Sequence, residues 1–265
     1  MSTTATPFVK SPFLMNREDF KIEVCANGVE SCLAAQDGGA DRVELCAGIP
    51  EGGTTPSYGE MLVARDMLKT TRLHVIVRPR GGDFLYTPLE VRRMAADIDM
   101  ARRIGADGVV FGCLTPQGRL DKEANLLLME HAKGMSVTFH RAFDRCQDPA
   151  AIMEELIIMG FDRILTSGQQ PTADKGVRLL KQLNEQARGR IAILAGSGVN
   201  ESNIAHIHRE TGLHEFHFSA RTTRPGGMLF TNPDIYMGRP GAEENLLEYT
   251  SADRVRKTIA NLLND

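Results

Sequence analysis

What most constrains this chain is an alternation. From residue 21 onward, short β-branched runs alternate with longer amphipathic ones, eight times over. Such alternation implies βα units and a parallel sheet. The expected strands are Lys21 to Ala26, Arg42 to Ala47, Leu73 to Arg78, Gly108 to Cys113, Ser136 to His140, Arg163 to Ser167, Arg190 to Ala195 and Glu215 to Ala220. Helical patterns follow them, for instance Pro88 to Ile104 and Asp148 to Met159, where Pro88 and Pro149 suit early helix positions. The second, fourth, sixth and eighth strands are approached through similar turns: Gly39-Ala-Asp-Arg-Val-Glu, Gly105-Ala-Asp-Gly-Val-Val, Gly160-Phe-Asp-Arg-Ile-Leu and Gly212-Leu-His-Glu-Phe-His. Each glycine can take the left-handed conformation that ends a helix. The two-unit period is that of a barrel built from βαβα modules. The expectation is an α/β protein, a single-domain (β/α)8 TIM barrel. A doubly wound open sheet is the alternative, disfavoured by the even spacing and by the lack of a dinucleotide fingerprint in the first turn.

The length of 265 residues suits one such barrel, which occupies about 250. Residues 1–19 read as a flexible N-terminal leader and 20–265 as the barrel domain. The formal net charge of −3 is spread without long like-charge runs, so nothing favours nucleic acid or an anionic membrane as partner. No apolar run approaches the roughly eighteen residues of a membrane span, and no secretory pattern opens the chain. A cytoplasmic location is expected. The cysteines, Cys25, Cys32, Cys46, Cys113 and Cys146, are odd in number and lack metal-finger spacing, which argues for reduced thiols. Residues 222–250, rich in Gly, Pro and Asn, read as a long loop before a last helix near Asp253 to Leu263. Such a loop is a lid, an arm gripping a neighbouring subunit, or a passive excursion. A homo-oligomer, a dimer, is expected.

In a barrel, polar residues that alternate along a strand and end at its C-terminus face the mouth. The first two strands both read Glu-x-Cys, which puts Glu23 and Cys25 beside Glu44 and Cys46, pointing inward. Two buried carboxylates require partners or a cation, and Arg78 and His140 are the nearest candidates. The bland reading is a satisfied polar core. The functional one is an acid/base or metal cluster of Glu23, Glu44, Arg78, His140 and Asp144. Cys25 and Cys46 suggest two thiolates for a soft ion such as Cu(I), against the common role of buried cysteine as apolar filler. Strand eight adds His217 and Ser219 on one face. The turn Gly196-Ser197-Gly198 after strand seven, with Ser219 and Arg221 after strand eight, occupies the positions where barrels bind phosphate. Ser167 and Arg80 join this anion-binding set.

Taken together, Ile22 to Cys25, Gly39 to Cys46, Glu51 to Ser57, Arg78 to Phe84, Thr138 to Asp144 and Leu165 to Gly168 resemble the CutC family of copper homeostasis proteins, over nearly all the chain after the leader. The resemblance implies a TIM barrel, a cytoplasmic role in copper handling, and a copper site on the cysteines that stand here as Cys25 and Cys46. It also matches Glu23, Glu44, Arg78, Arg80, Asp83, His140, Arg141 and Asp144 to the family's polar mouth. Two functions follow. One is a Cu(I)-binding homeostasis protein. The other is an enzyme of lyase, isomerase or hydrolase type acting on a small anionic or carbohydrate-like substrate, with Glu23, Glu44 and His140 as acid/base groups or ligands of a divalent metal, and Arg78 and Arg80 stabilising negative charge. The family favours the first and the residue chemistry the second.

Overall fold

The repeated turns do two things at the bottom of the sheet. Gly39, Gly105, Gly160 and Gly212 all lie at positive φ, between 65° and 90°, and so stop the helix before them. The aspartate two residues later then accepts a strand N–H. Asp41 takes that of Ile22 at 2.8 Å, Asp107 that of Leu73 at 2.8 Å and Asp162 that of Val137 at 2.7 Å. In the fourth turn His214 replaces the aspartate and stacks on Phe20.

The structure is a computed structural model that describes residues 15–264 apart from 233, 236 and 239–242. Eight parallel strands pair in chain order: β1 (Lys21–Ala26), β2 (Arg42–Leu45), β3 (Arg72–Ile76), β4 (Gly108–Phe111), β5 (Ser136–Phe139), β6 (Arg163–Thr166), β7 (Ala192–Ala195) and β8 (Glu215–Phe218). The sheet closes where β8 pairs with β1, with Glu23 level with His217. This is the expected TIM barrel. Most strands end one or two residues before the predicted limit, because the last residues turn outward to build the mouth.

Helices follow the strands: α1 (Val29–Asp37), α2 (Tyr58–Met67), α3 (Pro88–Arg103), α4 (Lys122–His131), α5 (Pro149–Met159), α6 (Val177–Ala187), α7 (Ile204–Thr211) and α8 (Ala252–Leu263). Ser57, Asp121, Asp148 and Ser251 accept N-terminal N–H groups of α2, α4, α5 and α8, and Thr87 with Glu90 forms a capping box on α3. The main core lies between sheet and helices, where Val43, Leu73, Val109, Phe139, Ile164 and Phe216 meet Met94, Ile98, Leu128, Leu156, Leu180 and Leu262. Burial of each large side chain there stabilises the fold by about 1.5–3 kcal/mol.

The bore of the barrel is different, because its lower layer is polar. Glu23, Arg42, His74 and Thr138 are all buried in it. Above them sits a small apolar group of Cys46, Ile76 and Val110, with Cys25 and Ile49 against it. Gly108 makes room for the His74 ring of the polar layer. A Cβ there would lie 2.6 Å from His74 Nε2 and 2.7 Å from the Ser136 carbonyl.

Two expectations change. The long loop begins and ends as an antiparallel ribbon, β9 (Arg221–Pro225) with β10 (Leu246–Thr250), because Thr222-Thr223 and Tyr249-Thr250 supply β-branched and aromatic pairs. Of the leader, residues 1–14 lie outside the described residues. Arg17–Asp19 forms a 3-10 turn whose Arg17 bonds Asp41 at 2.7 Å.

Candidate functional site at the barrel mouth

The C-terminal ends of the strands surround a cavity of about 630 Å³. Of the residues singled out from the sequence, Cys25, Glu44, Cys46, Arg78, His140, Asp144, Ser197, Gly198, Ser219 and Arg221 line it. Glu23, Arg80, Ser167 and Gly196 do not. Each exception has a physical reason.

Glu23 lies one layer below, fully buried in the bore. Its partners are neither Arg78 nor His140, as the sequence suggested. Arg42 Nε donates to its Oε2 at 2.6 Å and His217 Nδ1 stands 2.8 Å from its Oε1. Arg42 also binds Glu215 at 2.8 Å. Burial opposes the charge on Glu23, but Arg42 and His217 together hold its carboxyl well below the usual range. Arg80 points away to Glu90 at 2.6 Å and lies over the Tyr86 ring, so it braces the start of α3. Ser167 is spent on Asp144, to which its N–H and hydroxyl both donate. Gly196 is a packing glycine, where an added Cβ would stand 3.3 Å from His217 Cβ.

Asp144 is engaged on every side, by Arg141 at 2.7 Å, Thr166 at 2.5 Å, Ser167 and the Gln169 N–H. It fixes the loop after β5 against the loop after β6. Arg78 spans three carbonyls, those of Glu51, Gly53 and Gly82, at 2.8, 2.8 and 3.0 Å.

The deepest part of the cavity holds the two cysteines. Register pairs Cys25 with Glu44, and Cys46 follows one step up the same face of β2. Cys25 Sγ and Cys46 Sγ are 3.8 Å apart, and Cys46 Sγ lies 3.4 Å from Glu44 Oε2. The ligand atoms of Cys25, Glu44 and Cys46 all fall within 4.8 Å of one another. Glu44 Oε1 is buried without a partner. The hydrogen bond from Cys46 holds the Cys25 thiol well below its ordinary value, with help from His217 and Arg221 against the effect of burial. The same bond and burial push Cys46 up. Burial raises Glu44 to about 8.

Missing from the sequence-derived set is the role of His217, which joins the two layers. Its Nδ1 meets Glu23 and its Nε2 lies 3.6 Å from Glu44 Oε2. Burial opposes its charge, but hydrogen bonds to Cys25 and Glu23 and the nearby carboxylates hold the imidazolium well above its ordinary value. The signal was present. His217 shares a face with Ser219, and closing the barrel brings that face to Glu23.

Beside the cysteines, after β7 and β8, Ser197 and Ala220 have φ of 76° and 45° although neither is glycine. Backbone strain of this kind gathers at binding sites. They close the strands β7 and β8 beside Gly198 and Arg221.

The CutC family model matches residues 20–222. A CutC family protein of Bacteroides thetaiotaomicron is 62% identical over 241 residues, covering 91% of this chain and 97% of its own. The human copper homeostasis protein cutC homolog is 47% identical over 238 residues, 89% of this chain and 87% of that one. Among solved structures, that of the copper homeostasis protein CutC of Streptococcus agalactiae superposes with a TM-score of 0.73 at 35% identity, covering 76% of this chain and 98% of that chain.

Proposed function

The chain belongs to the CutC family, and from that premise we propose that it binds Cu(I) as cargo through the thiolates of Cys25 and Cys46. One observation carries the reading: two reduced sulfurs 3.8 Å apart at the floor of a cavity, where the hydrogen bond from Cys46 holds the Cys25 thiol well below its ordinary value. Two thiolates bound at about 2.3 Å to one soft ion, at roughly 110–120° to each other, stand about 4 Å apart. The donors therefore fit without moving the strands. Thiolate ligands select Cu(I) over hard cations. Glu44 is the third donor within reach, and its unpartnered Oε1 has no competing bond. Binding displaces the proton of Cys46, so affinity rises with pH. Five free cysteines are consistent with a reducing, cytoplasmic setting. Exposed Met228, Leu229 and Phe230 on the arm between β9 and β10 support the expected homodimer.

The test is a competition titration of reduced, metal-stripped protein with Cu(I) and a Cu(I) chelator, comparing the parent with a Cys25→Ser, Cys46→Ser double variant. One equivalent in the parent and none in the variant is expected. Equal affinity in both refutes the site.

A second reading, an enzyme acting on a small anionic or carbohydrate-like substrate, draws on the strained turn at Ser197 and Ala220 with Arg221 beside it. A copper carrier has no need of that turn. A thermal-melt screen with sugar phosphates and carboxylates, comparing the parent with Arg221→Ala, tests it.

A further inference from the structure

Arg78 follows β3 and is only 5% exposed. A buried guanidinium normally meets a carboxylate. This one meets three backbone carbonyls instead, its Nε–H has no acceptor, and no acidic side chain pairs with it among the described residues. Of the other four arginines that line the cavity, Arg145 is exposed and three are answered by carboxylates. Asp144 meets Arg141 at 2.7 Å, Glu201 meets Arg254 at 2.9 Å and Glu248 stands 3.7 Å from Arg221.

His140 lines the same cavity from the end of β5. Its Nδ1 accepts the Ala142 N–H at 3.3 Å, which in the neutral ring places the proton on Nε2. That Nε2 is buried and has no acceptor in the protein. Burial, reinforced by the charge of Arg78, lowers the imidazole to about 3, so the ring is neutral at physiological pH and offers a donor without a charge. In this tautomer it presents the cavity with an N–H donor, where a base or a metal ligand would present a lone pair. Phe84 ties the pair together, with the Arg78 guanidinium 5.2 Å above its ring and the His140 ring 4.9 Å away, centroid to centroid.

One wall of the cavity thus holds a cation without a counter-ion and a donor without an acceptor. Water can satisfy the donor but cannot neutralise the cation. We propose that Arg78 and His140, against the Phe84 ring, form a subsite for the oxyanion group, carboxylate or phosphate, of a small organic ligand. The subsite rests on the second reading above, a small anionic substrate, and gives it a wall distinct from the strained turn after β7. It does not need copper on the thiols. The ligand's charge answers Arg78, and one of its oxygens accepts from His140 Nε2.

The experiment uses the full chain labelled with ¹⁵N-histidine, with inorganic phosphate and oxalate as separate probes, followed by calorimetry and by the His140 nitrogen resonances. The variants are His140→Gln, which keeps a donor near Nε2, His140→Phe, which removes it, and Arg221→Ala. At least one anion is expected to bind the parent and move the His140 Nε2 signal; which one does so names the group. His140→Phe then weakens binding about tenfold while His140→Gln retains most of it. If anions bind and His140→Phe matches the parent while Arg221→Ala abolishes binding, the subsite is wrong and the second reading stands. If neither anion binds the parent, both fall.

Discussion

His217 sets its Nδ1 2.8 Å from Glu23 Oε1 across the seam where the barrel closes on itself. The contact joins residues 194 positions apart and couples the cysteine pair above to the ionic layer below. It makes Glu23 a positioning residue for His217, not a group that reaches the cavity.

Glu23→Ala strands Arg42 and His217 beside an uncompensated space. Removing one member of a buried ionic pair destabilises by about 3–5 kcal/mol, and the lower end is expected because Glu215 still holds Arg42. Urea unfolding measures it. Although burial works against the carboxylate, Arg42 and His217 hold the folded value well below the usual 4.5. The stabilisation is therefore complete above about 4.5 and fades as pH falls toward the folded value. The difference between parent and variant should narrow in acid, and a difference that widened would contradict the assignment.

Thiol reactivity should rank sharply in metal-free, reduced protein. Cys25 is held low by Cys46, whereas burial pushes Cys32 and Cys146 up to about 12 and Cys113 higher still. Iodoacetamide is expected to modify Cys25 first, with Cys32, Cys113 and Cys146 silent until unfolding. An ordinary thiol slows about tenfold per pH unit below its pKa near 8.5. Cys25 should slow far less as pH drops from about 8 to about 6.5. Peptide mass spectrometry of quenched time points reads both, and an early signal on Cys113 would refute the ranking.

Acid should also act through two buried histidines. Burial, with Arg42 and Arg163 nearby, lowers His74 to about 3 against the pull of Glu23, and His140 is likewise lowered to about 3. Each protonates near 6.5 in the unfolded chain but not in the folded one, so folding stability is lost as pH falls below about 6.5. The slope is about 1.4 kcal/mol per pH unit for each group. A His74→Gln variant should show a shallower decline between about pH 6 and pH 4.5 than the parent. Parallel curves would show that His74 takes no part.

The barrel was legible because its signals are local. Gly39, Gly105, Gly160 and Gly212 end helices by their own conformation, and Asp41, Asp107 and Asp162 bond to the neighbouring strand. The cysteine pair was legible for a similar reason, since Glu-x-Cys on consecutive strands leaves little choice of face. The partners of Glu23 were not. Arg42 stands at the start of β2, where a sequence reads a polar boundary, and His217 reaches Glu23 only through closure of the barrel. Arg80 and Ser167 look like ligand contacts by type, yet Glu90 and Asp144 claim them at distances that no spacing rule predicts. The ends of the long loop read as loop because the ribbon forms only when residues as far apart as Arg221 and Thr250 meet.

Beneath the cysteines, the bore is stoppered by Glu23, Arg42, His74 and Thr138, all buried. Among the described residues, the cavity is closed beneath by this layer and opens at the rim. Whatever it takes in must leave by the way it came, so arrival and departure cannot overlap. A bound molecule excludes its successor until it has gone, and a compound that merely corks the rim is enough to halt traffic to everything below.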